Sequence, residues 1–281
     1  MFGHATRSPA SLPVPQRIPV DAHVHFHRRD LIAATLTSAA ANFSSLHIPG
    51  VAADCGALLL AQSAREHVFE WVREQSRVGA WSVTTLAAEP QSLWFRSESA
   101  LVLVVCGRQV VAEPGLEVLA LGTDRRIEDG LGLEQTLEVA MSGNALTVLP
   151  WGFGKWTGRR KRRIQETIAV PGVSGLWVGD NGGRLGILPR PRLLDEAEAH
   201  GLGVLPGTDP FPFGGDYRRV GSFGCVLDVR PDAARPWESI RESLVRAPGS
   251  PQPYGRGAGV LDFALRQAGM QVYKRLNGQP A

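Results

Sequence analysis

The residues best placed to do chemistry stand together near the start of the chain, in Val20-Asp21-Ala22-His23-Val24-His25-Phe26-His27. Apolar and polar residues alternate there with period two, the pattern of a strand with two unlike faces. On that reading Val20, Ala22, Val24 and Phe26 face one way, and Asp21, His23, His25 and His27 the other. Side chains two apart on a strand are separated by roughly 6.6 Å, so His23 and His25 could converge on one metal ion near the strand's end. Neutral imidazole is the commonest metal-ligating side chain, and three of the chain's seven histidines fall within these five positions. The competing reading is a surface strand whose outer face is merely polar.

Polar and glycine-rich segments follow several later strands. The strand ending at Leu149 leads to Trp151, Lys155 and Arg159, the next to Asp180, Asn181 and Arg184, and the next to Asp209. Each has an ordinary alternative: Asp180-Asn181-Gly182 is a good turn, and Lys155 a solvated loop lysine. Their matching positions in successive units point to a shared rim. The types suit hydrolysis of an anionic substrate. His23, His25 and Asp209 could hold a divalent metal that acidifies water or polarises a phosphoryl oxygen. Lys155, Arg159 and Arg184 could neutralise phosphate or carboxylate.

The elements that must position these groups alternate in type. Helices are expected over 30–46, 64–77, 133–141, 161–169 and 191–200, and strands over 57–61, 80–88, 146–149, 175–178 and 204–205. Residues 100–121 read as a hairpin-like β insertion about Glu113-Pro114-Gly115, whose Pro-Gly order suits a type II turn. Two tail helices, 236–246 and 258–275, are expected on the outside. Strand-then-helix units repeated in this way indicate parallel α/β architecture. The expected fold is a single distorted TIM-like β/α barrel over 18–281, preceded by a flexible arm over 1–17.

Composition narrows the classes. The 281 residues are 43% hydrophobic and 20% charged, with a net charge of +3, an ordinary globular balance. The three cysteines are scattered and odd in number, which argues for a reducing, cytoplasmic setting. No apolar run reaches a membrane span, and the first 17 residues lack the apolar core of a secretory signal. The one dense basic run, Arg159-Arg160-Lys161-Arg162-Arg163, has no interleaved aromatic residues, which disfavours nucleic acid as a partner.

Taken together the motifs resemble the PHP family, the polymerase and histidinol phosphatase domain, from Val20 to about Phe213. Asp21-Ala-His23-Val-His25 is similar to the family's first motif. Val105-Cys-Gly107-Arg-Gln109, with the return strand Leu116-Glu117-Val-Leu119, is similar to its Gly-x-Glu and His-x-Leu strands, and Leu205-Pro-Gly207-Thr208-Asp209 to its Gly-Ser-Asp ending. The resemblance implies a distorted β/α barrel that binds up to three metals and hydrolyses phosphoesters. By the same matching several ligand positions are replaced: Gln62-Ser63 for an Asp-His pair, Gln109 for a bridging glutamate, Glu117 at or beside a histidine, Pro150-Trp151 for His-Pro, and Phe211 for the last histidine. What remains is His23, His25 and Asp209, helped by Glu117 or Asp180, enough for one divalent metal (Zn, Mn or Fe), for two, or for none.

The leading function is therefore a metal-dependent phosphoesterase with a small anionic substrate. Asp209, Asp180 and Lys155 would be its catalytic groups. Arg159, Arg184, Trp151 and Asn181 would bind substrate, and His23, His25, Asp209 and Glu117 would bind metal. The alternatives are a non-catalytic binding barrel, a metal-free enzyme using Asp180 and Asp209 as an acid/base pair, and a C–N hydrolase of the amidohydrolase kind, which also begins with His-x-His.

Overall fold

A computed structural model describes residues 16–51, 54–64, 66–143, 145–170, 175–247 and 249–276. The expected N-terminal arm, apart from Gln16 and Arg17, lies outside the described residues.

Runs of branched and aliphatic residues make the strands. The first half of the chain forms β1 (Ile18–Val24), α1 (Ile32–Ser44), β2 (Cys55–Leu60), α2 (Val68–Arg73), β3 (Arg77–Val78), β4 (Trp81–Thr85), β5 (Ser92–Arg96) and β6 (Leu101–Val105). Then follow β7 (Gly107–Ala112), β8 (Leu116–Leu121), α3 (Leu133–Ser142), β9 (Leu146–Pro150), α4 (Gly158–Ile168), β10 (Leu176–Asn181), α5 (Arg192–Ala199) and β11 (Val204–Gly207). The chain finishes with β12 (Gly224–Leu227), α6 (Pro236–Arg246), β13 (Gln252–Tyr254) and α7 (Val260–Leu276).

These strands form two mixed sheets, one of eight strands in the order β13-β12-β1-β2-β6-β5-β4-β3 and one of five in the order β11-β10-β9-β8-β7. Neither closes on itself, so the fold is α/β but the expected TIM-like barrel is not formed. The reason is competition for strand edges. β12 runs antiparallel along Ile18–Val20 of β1, so the small sheet reaches β1 only beyond that pairing, where Asp209 N–H donates to His23 O at 2.8 Å. Likewise β6 occupies Cys55–Leu59 of β2. β7 meets that strand only at its far end, through Gln62 N–H to Gly107 O (3.1 Å) and Gln109 N–H to Gln62 O (2.8 Å).

The expected β insertion at 100–121 is also divided. β6 lies inside the large sheet, between β2 and β5, and β7 with β8 forms the antiparallel pair at one edge of the small one. Gly115 N–H closes the turn on Ala112 O at 2.7 Å, which puts Pro114 third in the turn rather than second.

Among the described residues, apolar side chains sort into an inner core, two large outer ones and a small fourth cluster about Val110, Ala120 and Ile127. Ile18, Val20, Leu103, Leu119, Val148, Trp177 and Leu205 meet between the sheets. α1 and α2 cover the outer face of the large sheet, and α3, α4 and α5 that of the small sheet. α6 departs from the expected outside position: Trp237, Ile240 and Leu244 belong to the inner core. The Glu89 carboxylate fixes its start, accepting from Trp237 N–H at 2.7 Å and Glu238 N–H at 2.9 Å, a capping arrangement that also complements the helix dipole.

Gly207 is one of the points where the two sheets approach most closely. A Cβ there would stand 2.3 Å from His23 N and 2.5 Å from His23 Cβ. Gly207→Ala is expected to destabilise the protein by about 3 kcal/mol, as overpacking against backbone does. Urea unfolding checks this. A fully stable variant would mean that the seam yields freely.

Candidate metal centre

The histidines reach their positions through a bulge. β1 sends Ile18, Val20 and Ala22 into the inner core, but Val24 and Phe26 into the outer core under α1. The pairing of β1 with β2 slips between Asp21 and Val24, and a bulge of this kind changes which residues face which side. The regular alternation expected for residues 20–27 is thus broken. Asp21 is fully buried and accepts from Thr208 N–H (2.8 Å), Thr208 Oγ1 (2.6 Å) and Gly221 N–H (2.8 Å). His23 and His25 turn instead toward Gln109 and Asp209.

Three donor atoms converge there. His23 Nε2 and His25 Nε2 are 3.2 Å apart, and each is 3.6 Å from Asp209 Oδ1. A tetrahedral ion with bonds near 2.05 Å has ligand–ligand edges of about 3.3 Å, so the triangle has the size such an ion needs. Both histidines are buried, and Asp209 nearly so. His25 Nδ1 is buried with no hydrogen-bond partner; its nearest acid is Glu66 Oε2 at 3.6 Å. This donor set fits a divalent metal of the Zn, Mn or Fe class.

Asp209 sits in the left-handed region at φ 46°, the only non-glycine residue to do so among the described residues, and backbone strain of this kind collects at functional sites. The position is held from several sides. Asn181 Nδ2 donates to Oδ2 at 2.5 Å, and Arg266 Nη2 to the Asp209 carbonyl at 3.2 Å. Burial alone would raise the Asp209 pKa, but His23, His25, Lys155 and Arg266 outweigh it and hold the carboxylate well below its usual range. Burial lowers the pKa of His23, and His25 beside it works the same way, so His23 stays neutral with a lone pair to offer. Burial also opposes a charge on His25, but Glu66 and Asp209 overcome it and raise the pKa.

A proton therefore competes with a metal at His25. Metal affinity is expected to fall on acidification, beginning above the ordinary histidine value of 6.5, and binding is expected to release a proton. Calorimetry in buffers of different ionisation enthalpy measures that proton. No proton release at neutral pH would exclude His25 as the competing group.

The other sequence candidates divide. Glu117 shares its face of β8 with Leu119 and Leu121, which point into the inner core, and Lys155 Nζ donates to its Oε1 at 2.5 Å. Burial would lower the Lys155 pKa, but Glu117 and Asp209 prevail and raise it, so the half-exposed amine stays charged. Asn181 follows Trp177 on the inner face of β10. Asp180 follows Leu176 and Val178 on the outer one, in an ion pair with Arg184 at 2.9 Å. Trp151 packs on the outer core of the small sheet, and Arg159 is exposed on α4. Asp180 with Arg184, and Trp151, therefore lie toward the outer face of the small sheet and Arg159 on exposed α4, whereas the histidines and Asp209 lie on the inner side. In the basic run, Arg163 is tied to Glu134 (2.5 Å) and Glu166 (3.2 Å).

Further residues surround the centre. Gln109 Oε1 lies 3.2 Å from His23 Nε2, the donor atom itself. Glu66 Oε1 lies 2.9 Å from His27 Nδ1, while His27 Nε2 lies 2.8 Å from Pro210 O. His25, His27 and Glu66 make a second metal-sized group, but both His27 ring nitrogens face oxygen acceptors, which suits bracing Glu66 against His25. Arg266, buried on α7, has no counterpart among the expected residues. An acid in the loop after β2 was the one available signal for Glu66.

Among the described residues no helix is long and apolar enough to cross a membrane. No family profile and no curated protein matches the chain. Among the solved structures similar to it are two. PsfC from Pseudomonas syringae PB-5123 is 14% identical at a TM-score of 0.54, over 92% of this chain and 98% of that one. The lesion-specific endonuclease PfuEndoQ from Pyrococcus furiosus is 14% identical at a TM-score of 0.52, over 86% of this chain. The match spans 57% of the endonuclease's length. These likenesses are of fold, and they are consistent with a PHP-like fold.

Proposed function

We propose that the chain is a metal-dependent hydrolase of small anionic phosphoesters. The observation that carries this reading is the convergence of His23 Nε2, His25 Nε2 and Asp209 Oδ1 within 3.6 Å of one another. When bound there, a divalent metal supplies a Lewis acid and lowers the pKa of water. The depressed pKa of Asp209 makes it a permanent anion, suited to ligating a cation and ill suited to shuttling protons at neutral pH. Asn181 fixes the carboxylate's direction through its 2.5 Å hydrogen bond. Lys155 keeps its charge beside Glu117 and offers it to a substrate anion. The fold likeness to an endonuclease supports hydrolysis as a class.

The test is metal content by mass spectrometry after loading with Zn, Mn or Fe, together with turnover of phosphomonoesters, phosphodiesters and cyclic amides. Stoichiometric metal with phosphoester turnover is expected. Turnover of cyclic amides alone would move the chain to C–N hydrolysis. A second reading, metal binding without turnover, is favoured by Gln109 against His23 and by Phe211, whose ring lies under Arg266, at positions where the resemblance places ligands. Bound metal with no turnover of any ester would select it.

A further inference from the structure

The cleft beside the candidate centre has a built aromatic wall. Asp216 is buried, and its Oδ2 accepts from Phe211 N–H at 2.6 Å and from Arg266 Nη2 at 2.9 Å. The Arg266 guanidinium lies over the Phe211 ring, 4.3 Å from its centroid, a cation–π contact that holds the ring from behind. Gly214 and Gly215, at φ 65° and 77°, turn the chain, and Phe213 packs 5.5 Å from Phe211, centroid to centroid. Phe211, Phe213 and Tyr217 are each only half-buried, and all three line a cleft of about 460 Å³ counted out to its mouth. His25 and His27 line the same cleft. His25 therefore belongs both to the donor triangle and to the cleft wall.

The lining restricts what could fill it. Of its basic side chains, His27 lies between Glu66 and the Pro210 carbonyl, His25 belongs to the donor triangle, and Arg28 forms a solvent-exposed pair with Asp30. The remaining lining is mainly apolar and aromatic, and rings held in place favour a flat partner.

We infer that this cleft is a subsite for a planar aromatic or heteroaromatic group of the substrate, joined to a phosphoryl group held at His23, His25 and Asp209. Its catalytic arm rests on the hydrolase reading; its binding arm does not.

The experiment compares kcat/KM of metal-loaded protein for phenyl phosphate and adenosine monophosphate against glycerol 2-phosphate, and in parallel titrates adenosine, which has no phosphate to cleave. A preference of about tenfold or more for the ring-bearing esters is expected, the size of one stacking contact. Tyr217→Ala is expected to lower them about tenfold more than it lowers glycerol 2-phosphate, and to weaken adenosine by a similar factor. Phe211→Ala should act alike, but each variant frees a guanidinium, Arg266 from Phe211 and Arg218 from over Tyr217 at 5.0 Å, so the loss of adenosine binding, which involves no phosphate, carries the decision. Equal turnover of both ester classes, or equal losses in the variant, overturns the inference. Adenosine binding that depends on Tyr217, with no ester cleaved, keeps the subsite and sinks the hydrolase reading. Neither binding nor turnover sinks both.

Discussion

His23→Ala is expected to leave the protein with roughly a tenth or less of the wild-type metal and to cut phosphoester turnover by about a thousandfold or more, as loss of one of three metal donors requires. His23 Nε2 is 3.2 Å from His25 Nε2 and 3.6 Å from Asp209 Oδ1, so its removal opens the triangle. Gln109→Ala is the informative control. It removes an amide oxygen that faces the His23 donor atom but no donor of the triangle, so metal should stay. Elemental analysis of both variants decides the matter. Full metal in His23→Ala would place the ion elsewhere.

Asp21→Ala is expected to cost about 3 kcal/mol of folding stability, the penalty for stripping partners from buried donors. Thr208 N–H and Gly221 N–H would lose their acceptor, and so would the Thr208 hydroxyl. Urea unfolding followed by circular dichroism measures this, and a loss below about 1 kcal/mol would be too small for such a deletion. The carboxylate also has a pH signature. Burial pushes its pKa from 3.8 up to about 6, although Thr208, Gly221 and His23 pull the other way. The folded protein therefore holds this proton more tightly than the unfolded chain. Its contribution is full below about pH 4 and is lost as the pH rises through about 6. In metal-free protein, the advantage of wild type over Asp21→Asn should accordingly shrink across that interval, by about 3 kcal/mol at most.

The amino-acid order carries the types of the centre better than its geometry. His23, His25 and Asp209 are legible because a strand's polar end and the Leu205-Pro-Gly-Thr-Asp209 ending are local patterns. The face they share is not, because the bulge between Asp21 and Val24 is set by the register against β2, some 35 residues further on. Asp180 and Asn181 look equivalent in sequence, and only the alternation of β10, anchored by Trp177 inside and Val178 outside, separates them. Glu66 and Arg266 come from a loop and a helix with no periodic signature of their own. Parallel α/β units are plain from the alternation of elements, but two open sheets are not. The choice depends on β12 and β6 claiming the edges of β1 and β2, and both pairings are remote in sequence.

The seam at the end of β1 gives the centre a mechanical meaning. His23 and His25 follow the large sheet, whereas Asp209 follows the small one, and the backbone joins them there through Asp209 N–H to His23 O. An ion held by all three side chains would act as a clasp between halves that share few ladder bonds. By mass action each tenfold excess of free ion over its dissociation constant adds about 1.4 kcal/mol to the folded state. That increment would be felt first as slower amide exchange at Gly207–Asp209 and His23–His25, the two lips of the seam, before it is felt anywhere else in the molecule.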